Sequence, residues 1–286
     1  EYDPATGAAV KVIRDVDTAL TSTFGGLPSG WATPTGGGLH LTTAYEVDVY
    51  GRVVKATDPA GRVDYTVYDD AAREVRTYRG WDAATNAPTG PTTVVREDRG
   101  RGYTETLTMS AAPAVSGGRP TGAEAVSGVL SLSRSYTNEA GQVVHTDAYF
   151  HLDGLAYSQA SNLGTEGVDF YRTRYKYDQA GRLERTTTPS GTITRTVYDG
   201  QGRAVSEWVG TDDTPASGFW SPANTAGTDL VKVREYEYDG GVGDGNLTRV
   251  AEYPGLGAAP RVTQSWYDWR NREVATKAGV EGTESA

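Results

Sequence analysis

The chain has 286 residues, 27 basic against 37 acidic side chains and a net charge of −10. That balance argues against a nucleic-acid partner, whose phosphates select for Lys and Arg. The absence of Cys excludes disulfides and thiol catalysis. No apolar run approaches the ~18 residues of a membrane-spanning helix, so membrane insertion is not expected.

Phe (4) and Met (1) are scarce while Tyr (18) dominates the aromatics. This composition favours a broad sheet with solvated tyrosine hydroxyls over a thick apolar core. The 36 Gly and 13 Pro fall as turn punctuation. No signal peptide is visible, and a start at Glu1 rather than Met fits a processed product or a piece of a longer chain.

In chain order, Tyr2, Asp3 and Gly7 form a turn, and Val10 to Val16 its return strand. Residues 21–38 read as a long loop anchored by Trp31. Leu39 to Val49 is strand-like and leads into a turn at Asp48, Gly51 and Arg52. Asp58, Pro59 and Gly61 mark a second kind of turn. The next Tyr-Asp pair is Tyr68 and Asp69, with Asp69 lying 21 residues beyond Asp48. Here Ala72 and Arg73 stand where Gly and Arg are expected; Ala72 at positive φ would be strained, and Ala72→Gly is expected to stabilise. Residues 82–92 read as an insertion. A worn repeat follows at Val94 to Tyr103 with Asp98 in the Asp position, and 110–128 as loop. Asn138 and Gly141 make a turn with Asn replacing Asp.

From Val143 to Asp153 polar and apolar residues alternate. This predicts a strand with His145, Asp147, Tyr149, His151 and Asp153 outward and Val144, Thr146, Ala148, Phe150 and Leu152 inward. Leu155 to Leu163 carries the one helix signal, a short turn. The strongest stretch then follows. Tyr177, Asp178, Gly181 and Arg182 recur 21 residues on as Tyr198, Asp199, Gly202 and Arg203, with a Pro189-Ser190-Gly191 turn between. Asp caps the backbone of a type I turn, Gly supplies positive φ, and Arg returns opposite the Asp. Residues 211–227 form another insertion. Asp239 opens an enlarged turn closing at Asn246, and Asp268 and Asn271 make the last, with Asn tolerating the Gly conformation. Many short strands with regular turns predict an all-β array of antiparallel hairpin repeats over 1–286.

The serial Tyr-Asp-x-x-Gly-Arg phrases, clearest at Asp48, Asp69, Asp178 and Asp199 and looser at Asp3, Asn138, Asp239 and Asp268, resemble the YD repeat of the Rhs family. The shell segments of bacterial Tc toxins and animal teneurins are similar. The resemblance implies hairpins joined into a curved, spiralling sheet, a partial shell wall. It implies a bacterial product outside the cell or on its surface, with a toxin cargo or a surface glycan as partner, besides other parts of the same chain or other copies. The family's self-cleaving core segment is not matched; Thr57 to Gly61 resembles its wording only on the surface, so no catalytic residue is carried over. The expected role is structural and not enzymatic, with no cofactor. A self-assembling tube or filament joined through open sheet edges, and a glycan-binding adhesin, are the alternatives.

His145 with Asp147, and His151 with Asp153, have a spacing two metal ligands can use, yet no third ligand is nameable. Residues 239–246 have a calcium-loop composition without the EF-hand ligand pattern. Trp208, Trp220, Trp266 and Trp269 are candidates for stacking on sugars.

Overall fold

The computed structural model describes residues 1–17, 20, 37–239 and 245–280. The Trp31 loop and the centre of the 239–246 turn lie outside them. No α-helix occurs among the described residues. The chain divides into two compact units, Glu1–Asn138 with Asp147–Phe170, and Glu139–Thr146 with Tyr171–Ala286.

In the first unit the strands are β1 (Lys11–Arg14), β2 (Leu41–Val47), β3 (Val53–Thr57), β4 (Val63–Asp69), β5 (Glu74–Tyr78), β6 (Trp81–Asp82), β7 (Ala87–Pro88), β8 (Thr92–Asp98), β9 (Tyr103–Met109), β10 (Val115–Ser116), β11 (Arg119–Pro120) and β12 (Val129–Thr137). They pair antiparallel in the succession β1-β2-β3-β4-β5-β8-β9-β12. The insertions predicted as plain loops at 82–92 and 110–128 contain two-residue hairpins, β6–β7 and β10–β11. The first exists because Trp81 packs edge-on against Tyr65 and Tyr78.

Strand faces follow the period of two. In β9, Tyr103, Glu105, Leu107 and Met109 point inward and Thr104, Thr106 and Thr108 outward. Val94, Leu107, Met109, Leu132 and Leu163 make one core cluster, and Tyr65, Tyr78 and Trp81 another. Each buried side chain of this size contributes roughly 1.5–3 kcal/mol. Tyr65, Tyr78, Tyr103 and Tyr136 are buried core residues, whereas Tyr2, Tyr50 and Tyr171 are exposed, so the expectation of wet tyrosines fails at these four positions.

β13 (Val143–Tyr149) contributes residues to both units. It ends four residues before the predicted Asp153, and its distal face is reversed. Asp147 is buried and Tyr149 packs on Phe170, while Ala148 and Phe150 face solvent. Simple alternation fails there because the inward positions hold polar groups with partners inside the protein.

The second unit runs through β14 (Phe170–Tyr177), β15 (Leu183–Thr187), β16 (Ile193–Tyr198), β17 (Ala204–Gly210), β18 (Val231–Tyr238), β19 (Leu247–Glu252), β20 (Arg261–Tyr267) and β21 (Glu273–Val280). Each pairs antiparallel with the next.

Candidate functional site

The repeat turns share one local chemistry. At Asp178 the carboxylate accepts the N–H groups of Ala180 and Arg182, both at 2.9 Å, and the Arg182 Nε at 2.7 Å. Gly181 donates its N–H to the Asp178 carbonyl from φ 80°. This is a type I turn closed by a left-handed glycine bulge. Asp199 with Gly202 and Arg203 repeats it, as do Asp48 with Gly51 and Arg52. At Asp268 the left-handed residue is Asn271, φ 59°, and Arg272 pairs with the aspartate. Asp239 closes its longer turn onto Asn246, whose side-chain amide replaces the guanidinium at 3.0 Å. Gly141 has φ 77° in the Asn138 turn. The N–H groups of Arg182 and Arg203 hold Asp178 and Asp199 below the usual carboxylate range, with the guanidinium adding to the effect. The Asp58 and Thr188 turns at the other hairpin ends close by the same backbone bonds.

The Asp69 turn departs from the pattern. Its positive φ, 49°, falls on Arg73 and not on Ala72. Asp69 pairs directly with Glu74 without the bulge found at the Asp48, Asp178 and Asp199 turns, so the loop is shifted by one residue; the Asp98 turn, where Asp98 pairs directly with Tyr103, has the same form. Alanine cannot supply the bulge conformation cheaply, and the turn re-forms around it. Arg73 consequently does not return to Asp69 and lies 3.9 Å from Glu97.

Each repeat also grips the one before it. The Tyr198 hydroxyl donates to the Leu183 carbonyl, Tyr238 to Ala204 and Tyr267 to Leu247, at 2.9–3.0 Å. Tyr177 donates to Val143 at 2.9 Å, and Tyr68 to Val53 at 3.4 Å. In every case the acceptor follows the Arg position, or its Gln or Asn substitute, of the preceding turn. That Arg lies against the ring of the next tyrosine: Arg182 on Tyr198 at 4.6 Å, Arg203 on Tyr238 at 4.2 Å and Arg52 on Tyr68 at 4.2 Å. Arg182 reaches on to the Asp199 carbonyl, and Arg52 to the Asp70 carboxylate. The motif's Tyr, Asp and Arg thus act in two repeats at once.

A second constellation escaped the sequence reading. Glu74, Arg96, Glu105 and Arg134 lie directly opposite one another on β5, β8, β9 and β12. All four are at most 6% exposed. Arg96 bonds Glu74 at 2.7 Å through Nε, and Arg134 bonds Glu105 at 2.8 Å. Arg76 continues the line between Glu74 and Glu124, with Glu124 at 2.9 Å. Burial pushes the Glu124 carboxyl up, but the Tyr78 hydroxyl, the Ala114 N–H and Arg76 outweigh it and lower its pKa. Buried charges demand such pairing. The visible signal was a charge inside an apolar alternation on adjacent strands, with opposite signs: Tyr103, Glu105, Leu107 beside Leu132, Arg134, Tyr136.

The ladder is covered by residues 155–163, the stretch expected to be helical. This strap forms no helix, turns at 161–162, and offers five of its carbonyls to side-chain donors of the sheet. Arg134 donates to Ser158 O and Ala160 O, both at 2.6 Å; Tyr103 to Gln159 O at 2.7 Å; Tyr136 to Ser161 O at 3.0 Å; Tyr149 to Leu163 O at 2.9 Å. A helix would consume these carbonyls internally, whereas here the sheet's donors need them. Tyr157 bonds Glu105 and accepts from Arg96.

The other candidates separate. His151 lies beyond the end of β13, 3.3 Å from Asp169, and no group of metal-ligating side chains forms among the described residues. Asp239 accepts from Gly245 and Asn246 in its turn. Trp208 and Trp220 pack edge-on, with Arg195 over Trp220 at 4.7 Å. Asp213 beneath them neutralises Arg185 and Arg195; burial pushes its carboxyl up and the two guanidiniums pull it below the usual range. Trp269 is 81% exposed at its turn tip.

No protein-family model and no curated protein matches the chain. Among solved structures, a chain in the crystal structure of TcdB2-TccC3-Cdc42 is similar over 85% of this chain and 12% of its own length, at 17% identity and a TM-score of 0.39. A chain of TcdB2-TccC3 without hypervariable C-terminal region gives the same coverage at 15% identity and a TM-score of 0.39. A chain of the Photorhabdus luminescens Tc holotoxin pore is similar over 99% of this chain and 16% of its own, at 15% identity and a TM-score of 0.28. The protein spans about an eighth of the first of these chains, and its functional reading stands on its own residues.

Proposed function

We propose that this chain is a non-catalytic wall segment of a YD-repeat, Rhs-type shell, acting outside the bacterial cell or at its surface to enclose or display a cargo. The observation that carries the reading is the interlock between repeats. A tyrosine that bonds the preceding turn and an arginine that stacks under the following tyrosine make each hairpin a template for the next. Such a rule extends a wall without a site for chemistry. Its partners are other parts of the longer product and the cargo they surround. A second reading, a glycan-binding surface, draws on the exposed Trp269 with Arg270 stacked on it.

The test is limited proteolysis of the natural gene product that contains this chain. The wall reading expects a protected region outside the repeats that becomes cleavable when Gly181→Val and Gly202→Val break two turns. Equal cleavage with and without those substitutions contradicts it. Saturable binding on a glycan array, lost in Trp269→Ala, favours the second reading.

A further inference from the structure

In the first unit Glu74, Arg96, Glu105 and Arg134 alternate in sign from strand to strand, so each charge finds a partner within the sheet. One row in the second unit does not alternate. Lys176 on β14, Arg185 on β15 and Arg195 on β16 are direct cross-strand partners, which sets three cations side by side on one face. Like charges opposite one another destabilise a strand pair. One carboxylate answers them. Asp213, from the 211–227 insertion, accepts from Arg185 Nε and Nη2 at 2.7 and 3.0 Å and from Arg195 Nε at 2.7 Å. The two guanidiniums are each 16% exposed and Asp213 11%, so this triad is largely dry and keeps one positive charge in excess. Lys176 adds a second beside it: it is exposed and makes no hydrogen bond or ion pair among the described residues. Arg185 Nη1 donates to Thr187 Oγ1, while Arg195 Nη1 has no acceptor among the described residues. A largely dry charge without a counter-charge costs stability until an anion reaches it.

We infer that the row Lys176, Arg185 and Arg195 is a binding site for the terminal phosphoryl group of a small phosphate monoester. Asp213 already fills the place of a carboxylate between the two guanidinium forks. Two positive charges remain, with N–H donors on separate strands. A phosphate monoester brings a charge of about −1.5 to −2 at pH 7 and three acceptor oxygens, which matches both. A sulfate ester or a further carboxylate brings a single charge. Arg185 and Arg195 are largely covered and Lys176 is exposed, so access is from the Lys176 side. That narrow access suits a small molecule and not a broad macromolecular surface. None of these residues belongs to a repeat turn, so failure of the wall reading leaves the site in place.

The experiment is isothermal titration of the full chain with phenyl phosphate and, separately, phenyl sulfate at constant ionic strength. Phenyl phosphate should bind saturably with a Kd below about 1 mM, and phenyl sulfate about tenfold more weakly. Lys176→Gln should weaken phenyl phosphate about tenfold. Arg261→Gln, which removes an exposed cation elsewhere in the same unit, should weaken it by less than about threefold. Asp213→Asn leaves the row with a further unmatched charge, so phenyl phosphate should raise its Tm by more than it raises that of the unaltered chain. If Asp213→Asn loses its β-sheet circular dichroism, Lys176→Gln against Arg261→Gln decides alone, since both side chains are exposed. No saturable binding up to about 10 mM, equal binding of phosphate and sulfate esters, equal losses at Lys176 and Arg261, or no larger gain in Tm in a folded Asp213→Asn would overturn the inference.

Discussion

Both units carry the same cross-strand alternation of Glu and Arg, and the two copies meet opposite environments. In the first unit Glu74, Arg96, Glu105 and Arg134 are buried beneath the strap. In the second, Glu207, Arg234 and Glu252 are opposed in register just as closely, but their side chains are 30%, 41% and 52% exposed. Arg234 sits 2.8 Å from Glu252 and 3.8 Å from Glu207. Strand sequence supplies the ladder in both; an inserted segment between strands decides whether it is dry. A wet pair contributes about 0–1 kcal/mol, whereas a dry one cannot lose a single partner without leaving an uncompensated charge.

The largest expected effect follows from that difference. Arg134→Ala should cost about 3–5 kcal/mol, because Glu105 remains buried and three hydrogen bonds, one to Glu105 and two to the carbonyls of residues 158 and 160, vanish with the guanidinium. Chemical denaturation with hydrogen exchange of β9 and β12 measures it. A loss no larger than that of Arg234→Ala would erase the distinction between the units.

Alkali should also separate them. Burial pushes the Tyr78, Tyr149 and Tyr157 hydroxyls well above the usual tyrosine range, helped at Tyr78 and Tyr157 by bonds to Glu124 and Glu105. The folded state therefore keeps protons that the unfolded chain releases above about pH 10. Stability is whole below that pH and falls as pH rises above it. Hydrogen exchange from pH 9 to 12 should show β9 and β12 opening before β17 and β18; the reverse order counts against tyrosine burial as the cause.

Turn substitutions sharpen the comparison at smaller scale. Gly202→Val should cost about 1–3 kcal/mol through its left-handed backbone alone, since a Cβ there meets nothing closer than 3.6 Å. Arg73→Gly should raise stability by up to about 1 kcal/mol, and Ala72→Gly should not, reversing what the motif suggests. Thermal melts of the three variants distinguish the shifted turn from the regular one.

These contrasts follow what was legible in the sequence. The turns were, because Asp178, Gly181 and Arg182 interact within four residues and their chemistry fixes the backbone locally. The Tyr reach-back was not, since its acceptors are backbone carbonyls with no side-chain signature. The buried ladder joins residues 22 and 29 apart, and its dryness depends on the register of four strands. The strap misled for a related reason: Leu155 to Leu163 has a helical spacing of apolar residues, but Tyr103, Arg134 and Tyr136 outbid the local preference by taking its carbonyls.

The most direct measurement is a pair of double-mutant cycles on the folded chain, Glu105→Gln with Arg134→Met and Glu252→Gln with Arg234→Met. A covered ladder in one unit and an open one in the other require coupling of about 2 kcal/mol or more in the first cycle and below about 1 kcal/mol in the second. Equal coupling energies in the two cycles would contradict it.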